Sequence, residues 1–294
     1  MSRVEFKPEE TKKRIAKLKD YYDEHFKVCT NGCKNFEKCS NGFKKELVLR
    51  ESFNDSIRVG KYYDTYVDGN PLRLLIVGIE GISKTGRTFE QKNKRPFRLN
   101  ECHNNHIVGT LETLLRIYGV DVNVQKNWKE HISVKNDLLY DSYALTNAFK
   151  CVFKTKENGD NKAGPKNRMM YDKCYEHLIS ELNILDPTII ITQGRWSDNY
   201  NNLLIETLKG SFAFIKKIDE AAASGYDNLG LYEFEFNSHP MYVLLSLHPA
   251  RIRYNDEKLK VVLNDQLEYL RMLKIIPQIS VLKDYIHVHG NESI

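Results

Sequence analysis

The stretch Leu74-Leu75-Ile76-Val77-Gly78-Ile79-Glu80-Gly81-Ile82-Ser83 constrains the fold more than any other part of the chain. It is an apolar run of strand length without polar alternation, and it opens through Gly-Ile-Glu-Gly into a Lys/Arg-rich segment. Such a run suits a strand buried on both faces, as in a parallel sheet covered by helices. In open sheets of that kind ligands bind beyond the carboxyl ends of the strands. Glu80 is therefore expected to project into a site. Three later segments, 143–151, 188–194 and 242–247, repeat the layout.

Helical spacing of apolar residues is read over 8–26, 107–118, 170–185 and 197–208, and again in the stripe Leu259, Leu263, Leu267 and Leu270. Segments 211–218 and 231–236 read as a hairpin or edge strands, and 43–70 as a polar, aromatic stretch ending in the turn Asp68-Gly69-Asn70-Pro71. Strands alternating with helices predict an α/β fold: a three-layer α/β/α sandwich with a short central parallel sheet and right-handed crossovers. The expected organisation is an N-terminal helix and cysteine-bearing extension over 1–70, the α/β domain over 71–277 and a tail over 278–294.

The 294 residues and a hydrophobic content of 41% suffice for a sizeable core. Lys plus Arg number 44 against 39 Asp plus Glu, a formal balance of +5, so the position of the charges matters more than their sum. The N-terminus lacks the apolar core of a signal peptide and no apolar run reaches membrane length, so a cytoplasmic monomer without a membrane partner is expected. In that compartment the six cysteines read as reduced thiols or metal ligands rather than disulfides.

Four polar signatures fall at the four strand ends: Glu80, Asn147, Gln193-Gly194 and His248-Pro249. A carboxylate can position a water, an amide can read an edge with one donor and one acceptor, and an imidazole can donate to an oxygen where negative charge develops. The loops at 84–106 and 154–168 are basic, as a phosphate backbone requires. Arg251 and Arg253 flank Ile252 directly after His248-Pro249, two phosphate-seeking cations around an apolar wedge. Enzymes that do chemistry on a base must first extrude it. The constellation reads as base recognition coupled to hydrolysis. No Gly-x-Gly-x-x-Gly or Walker loop follows the first strand, so no nucleotide cofactor is expected.

These residues resemble the uracil-DNA glycosylase superfamily, and within it the iron–sulfur (family 4-like) branch. Gly78-Ile79-Glu80-Gly81 is similar to the first motif, Thr146-Asn147-Ala148-Phe149-Lys150-Cys151 to Thr-Asn-x-x-Lys-Cys, and Asn167-Arg168 with Cys174 to the Asn-Arg…Cys that follows. The run 185–194 is similar to Leu-x-Pro-x-x-Ile-x-x-x-Gly, and His248-Pro249-Ala250 to His-Pro-Ser.

The resemblance implies a monofunctional DNA glycosylase that hydrolyses the N-glycosidic bond of flipped uracil or a modified pyrimidine in single- or double-stranded DNA. Glu80 would orient water and His248 would stabilise the leaving base. Asn147 would read the base, Phe97 of Arg95-Pro96-Phe97 would stack on it, Gly78 would line the pocket, and Arg251, Ile252 and Arg253 would grip and wedge the backbone. The first motif diverges, because the acid follows the glycine by two residues and no proline is present. That divergence opens the alternative of a hypermodified base excised from foreign phage DNA in defence. An alternative of another class is a non-catalytic nucleic-acid-binding module. Four thiolates suit iron–sulfur or zinc. The resemblance implies a [4Fe–4S] cluster held by four at most of Cys29, Cys33, Cys39, Cys151 and Cys174.

Each assignment has a plainer counterpart. Glu80 reads also as a surface cap, Asn147 as a turn residue, His248 as a backbone-bonded strand-end histidine, and Cys174 as a core thiol. Ile252 could pack locally and the basic loops could be solvated linkers. His239-Pro240 is a second His-Pro pair, set apart because no apolar strand precedes it.

Overall fold

The computed structural model describes residues 3–30, 46–49, 57–78, 105–118, 137–148, 151–154, 168–193, 198–218, 230–246 and 268. A seven-stranded sheet organises them. Its strands are β3 (Arg58–Val59), β6 (Leu74–Gly78), β7 (Tyr143–Asn147), β9 (Ile189–Gln193), β10 (Ala213–Ile218), β11 (Gly230–Phe236) and β12 (His239–Leu245), in the order β10-β11-β12-β9-β6-β7-β3. The four central strands β12, β9, β6 and β7 run parallel, while β3, β11 and β10 add antiparallel pairs at the flanks.

Five helices are described: α1 (Pro8–Thr30), α2 (Asn105–Ile117), α3 (Asp137–Asp141), α4 (Arg168–Leu185) and α5 (Asp198–Ser211). All of β6 and β9 is buried because both faces are covered. On one face Leu75, Val77, Ile190 and Val243 share a core with Leu18 and Tyr22 of α1, Leu178 and Leu182 of α4, and Leu204 and Leu208 of α5. On the other, Leu74, Ile76, Ile189, Ile191 and Leu244 pack with Leu111, Leu114 and Leu115 of α2 and with Leu138 and Leu139 of α3. The architecture is the expected three-layer α/β/α sandwich.

Three boundaries differ from expectation. The second strand ends at Asn147, and the chain re-enters extended structure at Cys151 as β8 (Cys151–Lys154), which pairs with β2 (Glu46–Leu49) in a sheet of its own. The stretch 43–70 contributes regular structure: β4 (Thr65–Val67) lies between β1 (Val4–Phe6) and β5 (Asn70–Leu72), and β3 joins the main sheet. The β4–β5 turn uses the left-handed conformation at Asp68 and Gly69, with φ of 50° and 81°. Finally, β12 begins at His239, because Asn237 and Ser238 both take positive φ and close a two-residue hairpin from β11. The leucine stripe at 259–270 lies outside the described residues apart from Glu268, which is helical.

The amino ends of the central strands are clamped by a charged network. Arg73 precedes β6 and donates from Nη2 to Asp186 Oδ2 at 2.7 Å; Asp186 also accepts from Asn237 Nδ2 at 2.9 Å and contacts His239 Nε2 at 2.8 Å. The hydrogen bond to Asp186 raises the His239 pKa above its ordinary 6.5, against the opposing effect of burial. Burial also opposes ionisation of Asp186, but hydrogen bonds from His239 and Asn237, with the Arg73 charge, lower its pKa to about 2.

The His239 contribution to stability is full below 6.5 and is lost as pH rises through the raised folded value. The Asp186 contribution is full above 3.8 and is lost as pH falls toward about 2. Unfolding free energy measured by denaturant titration is expected to lose about 1 kcal/mol on the alkaline side. His239→Gln should remove that slope, and an unchanged slope in the variant would assign it to another group.

Candidate active site at the carboxyl edge of the sheet

In chain order the parallel strands are β6, β7, β9 and β12, yet β6 lies between β7 and β9. The connection through α2 returns to one side of β6, and the next parallel strand is laid down on the other. The order of the sheet thus reverses between β6 and β9, the kind of point where α/β sheets open a crevice at their carboxyl ends. Gly78 closes β6 there. In the register it is the partner of Asn147 on β7 and of Gln193 on β9. Positions 74, 76 and 78 of β6, with their partners, alternate onto one face. Leu74, Ile76, Ile189 and Ile191 belong to the core under α2, so Asn147, Gly78 and Gln193 continue that face at its carboxyl edge.

The middle member of this row has no side chain, and the space is in use. A β-carbon placed on Gly78 would lie 2.5 Å from Asn147 Oδ1, well inside contact distance. The half-buried Asn147 carboxamide therefore leans from β7 over Gly78 of β6. Its backbone is held by the ladder, with Ala148 N donating to Gly78 O at 2.8 Å.

From the opposite face, Thr146 Oγ1 donates to Glu181 Oε2 of α4 at 2.7 Å, and the Tyr22 hydroxyl of α1 donates to Glu181 Oε1. Burial, reinforced by the Glu181 charge, pushes the Tyr22 hydroxyl pKa well up, so it stays a donor. The N-terminal helix is thus tied to the residue next to Asn147. Glu181 lies within the apolar stripe Cys174, Leu178, Leu182 and Leu185, and that intrusion of a carboxylate into a stripe is the sequence signal for it.

On the other side of Gly78, Gln193 is 3% exposed and its Oε1 accepts from Thr110 Oγ1 of α2 at 3.1 Å. The end of β12 is drawn to the same edge: Ser246 N donates to Thr192 Oγ1 at 2.9 Å, two residues before His248. Gln193 was visible in the sequence as a strand-end residue. What singles it out is its place beside Gly78, which only the register supplies.

Of the residues assigned from sequence, the structure brings Gly78 and Asn147 together. Glu80, Phe97, His248, Arg251, Ile252, Arg253, Cys33 and Cys39 lie outside the described residues. Cys29 is in the last turn of α1, Cys151 opens β8, and Cys174 is a buried thiol on α4. The second His-Pro pair is at the opposite, amino end, where His239 belongs to the Asp186 network.

Among the described residues no helix is long and apolar enough to cross a membrane. No curated protein matches the chain. A family model described as the uracil DNA glycosylase superfamily matches residues 66–271, more than two thirds of the chain and the whole of the parallel sheet with its carboxyl edge. By that match the chain belongs to the uracil DNA glycosylase superfamily.

Proposed function

We propose that the protein is a monofunctional DNA glycosylase, hydrolysing the N-glycosidic bond of an extruded uracil or modified pyrimidine and leaving an abasic site. The observation that carries this reading is the Asn147 carboxamide leaning over a side-chain-free Gly78 at the reversal point of a sheet of this superfamily. An amide so placed offers one donor and one acceptor to a pyrimidine edge.

In the reaction, Arg251 and Arg253 hold phosphates while Ile252 fills the gap left by the extruded base. Phe97 stacks on the base and Asn147 reads its edge. His248 donates to the base oxygen as the glycosidic bond breaks, and Glu80 orients the water that adds to the sugar cation. The acid two residues after Gly78, in place of the usual spacing, is the feature behind the second reading, excision of a modified base from foreign DNA. Lys150 stands three residues past Asn147 and is not given a covalent role.

The iron–sulfur branch is part of the proposal. Its support is the likeness of Cys151 and Cys174 to the later ligands of that branch, together with the packing of α1, which carries Cys29, against α4, which carries Cys174. Helices α1 and α4 run antiparallel, with Arg14 Nη1 donating to Ile184 O at 2.7 Å and Tyr21 Oη 2.9 Å from His177 Nδ1. Cys29 follows Tyr22 by about two turns on α1, and Cys174 precedes His177 by about one turn on α4. Four thiolates drawn from Cys29, Cys33, Cys39, Cys151 and Cys174 would hold such a cluster, which would supply no chemistry to the glycosidic bond but would fasten the N-terminal extension.

The test is incubation of the purified protein with single- and double-stranded oligonucleotides carrying uracil, hypoxanthine or modified cytosines, scored for alkali-labile abasic sites. Glu80→Gln and His248→Ala are each expected to lower release by about 10²–10³-fold. A variant releasing base at the wild-type rate removes its residue from the mechanism. An iron assay and visible spectrum of the anaerobically purified protein accompany it, and absence of both signals rejects the cluster.

A further inference from the structure

The carboxyl edge holds a second carboxamide whose hydrogen-bonding capacity is half used. Gln193 Oε1 is taken by Thr110, whereas Gln193 Nε2 is buried and has no hydrogen-bond partner among the described residues. Buried polar atoms are overwhelmingly paired, and an orphan costs its full desolvation, so each exception calls for an explanation.

Three other buried side-chain atoms share this condition: Tyr63 Oη, Arg58 Nε and Arg116 Nε. Neither arginine is idle, since other nitrogens of each guanidinium bond Tyr143 and Asp141, or Glu112. Tyr63 lies within the fields of Arg73, Arg14, Asp64 and Asp186 at the amino end of the sheet. Gln193 alone of the four stands in the row of Gly78 and Asn147.

The Gln193 amide turns Oε1 toward the Thr110 hydroxyl of α2. With Oε1 engaged by a donor, the group left over is the NH₂, a pure donor. Asn147 and Gln193 lie on either side of β6, with backbones about 10 Å apart at ordinary strand spacing. Both side chains rise from the same face, and Gly78 contributes nothing between them. A planar base seated at the carboxyl edge beyond Gly78, against the Asn147 amide, would meet a donor–acceptor pair from one strand and a donor from the other.

We propose that Gln193 is a specificity-determining residue of this site, donating from Nε2 to an acceptor oxygen of the extruded base on the side of Gly78 away from Asn147. The inference rests on the glycosylase reading and narrows its substrates to bases that carry such an oxygen in addition to the edge read by Asn147. A site built to satisfy a buried donor rejects an analogue lacking the acceptor, because the donor is then stranded.

The experiment uses the full chain and oligonucleotides carrying uracil, 2-thiouracil, thymine, 5-hydroxymethyluracil or cytosine. Excision is followed as kcat/KM, and binding is followed with non-hydrolysable 2′-fluoroarabino analogues of the same bases. The wild type should disfavour bases in which the contacted oxygen is absent or replaced by sulfur by about 10- to 100-fold. Gln193→Met, matched in volume and checked for folding by thermal melting, should bring that ratio close to one. It should leave the preference for uracil over cytosine, which belongs to Asn147, in place.

Unchanged ratios in Gln193→Met, or a wild type indifferent to these oxygens, overturn the proposal while base excision stands. A wild type that neither excises any base nor captures any analogue more tightly than unmodified DNA overturns the glycosylase reading, and this inference with it.

Discussion

Gly78→Ala is expected to remove about 99% of base release while leaving the protein folded, since a misplacement of about 1 Å at a reacting constellation costs on the order of 10²-fold. The new methyl would stand 2.5 Å from Asn147 Oδ1, and the far end of that side chain is the part free to give way. Gly78 does not depend on a positive φ, so alanine fits the backbone of β6, and the stability change should stay below about 1 kcal/mol. The damage is therefore confined to the direction in which the Asn147 amide faces.

Asn147→Ala should show a similar loss, and the double variant should be no worse than either alone, because both substitutions remove one interaction. Additive losses in that cycle would mean that Gly78 serves the site by a route other than Asn147. Full activity in Gly78→Ala would show that the amide is not the reader of the base.

The parts of this architecture that were legible in the sequence are those set by local hydrophobic pattern. The runs expected at 73–79 and 188–194 fold as Leu74–Gly78 and Ile189–Gln193, because an unbroken apolar run can only be buried on both faces. What local pattern does not carry is a change of partner. Residues 143–151 read as one strand, yet the chain leaves the main sheet after Asn147 and pairs Cys151 with Leu49.

Nor does it carry the tolerance of a proline. Pro240 lay outside the strand expected at 242–247, yet β12 includes it: the strand has only β11 beside it there, and pairing with β9 starts at Tyr242. A proline is admissible where one side of the ladder is open. The candidate site divides along the same line. Asn147 and Gln193 were recognisable as strand-end amides, whereas the glycine that seats one and the threonine that bonds the other are neighbours through register and packing.

The amino end of the sheet should be as sensitive in stability as the carboxyl end is in activity. Asp64→Asn is expected to destabilise the protein by about 3–5 kcal/mol, the usual consequence of removing one member of a buried ionic cluster. Asp64 is fully buried between two cations: Arg14 Nε lies 3.0 Å and Arg73 Nη1 3.8 Å from Oδ1. Thr11 Oγ1 donates to its other oxygen at 3.0 Å, so both oxygens are engaged.

Through these contacts the carboxylate joins α1, the approach to β4 and the start of β6. Neutralising it leaves two guanidinium groups short of a counterion, one of them, Arg73, only 5% exposed. For a chain of this size the loss corresponds to a fall in melting temperature of roughly 5–8 °C. Below the transition, base release should be unaffected, because the network is at the end of the sheet remote from Gly78 and Asn147. A melting temperature within about 2 °C of wild type would show that Asp186 and His239 alone hold Arg73 and that Asp64 is dispensable to the clamp.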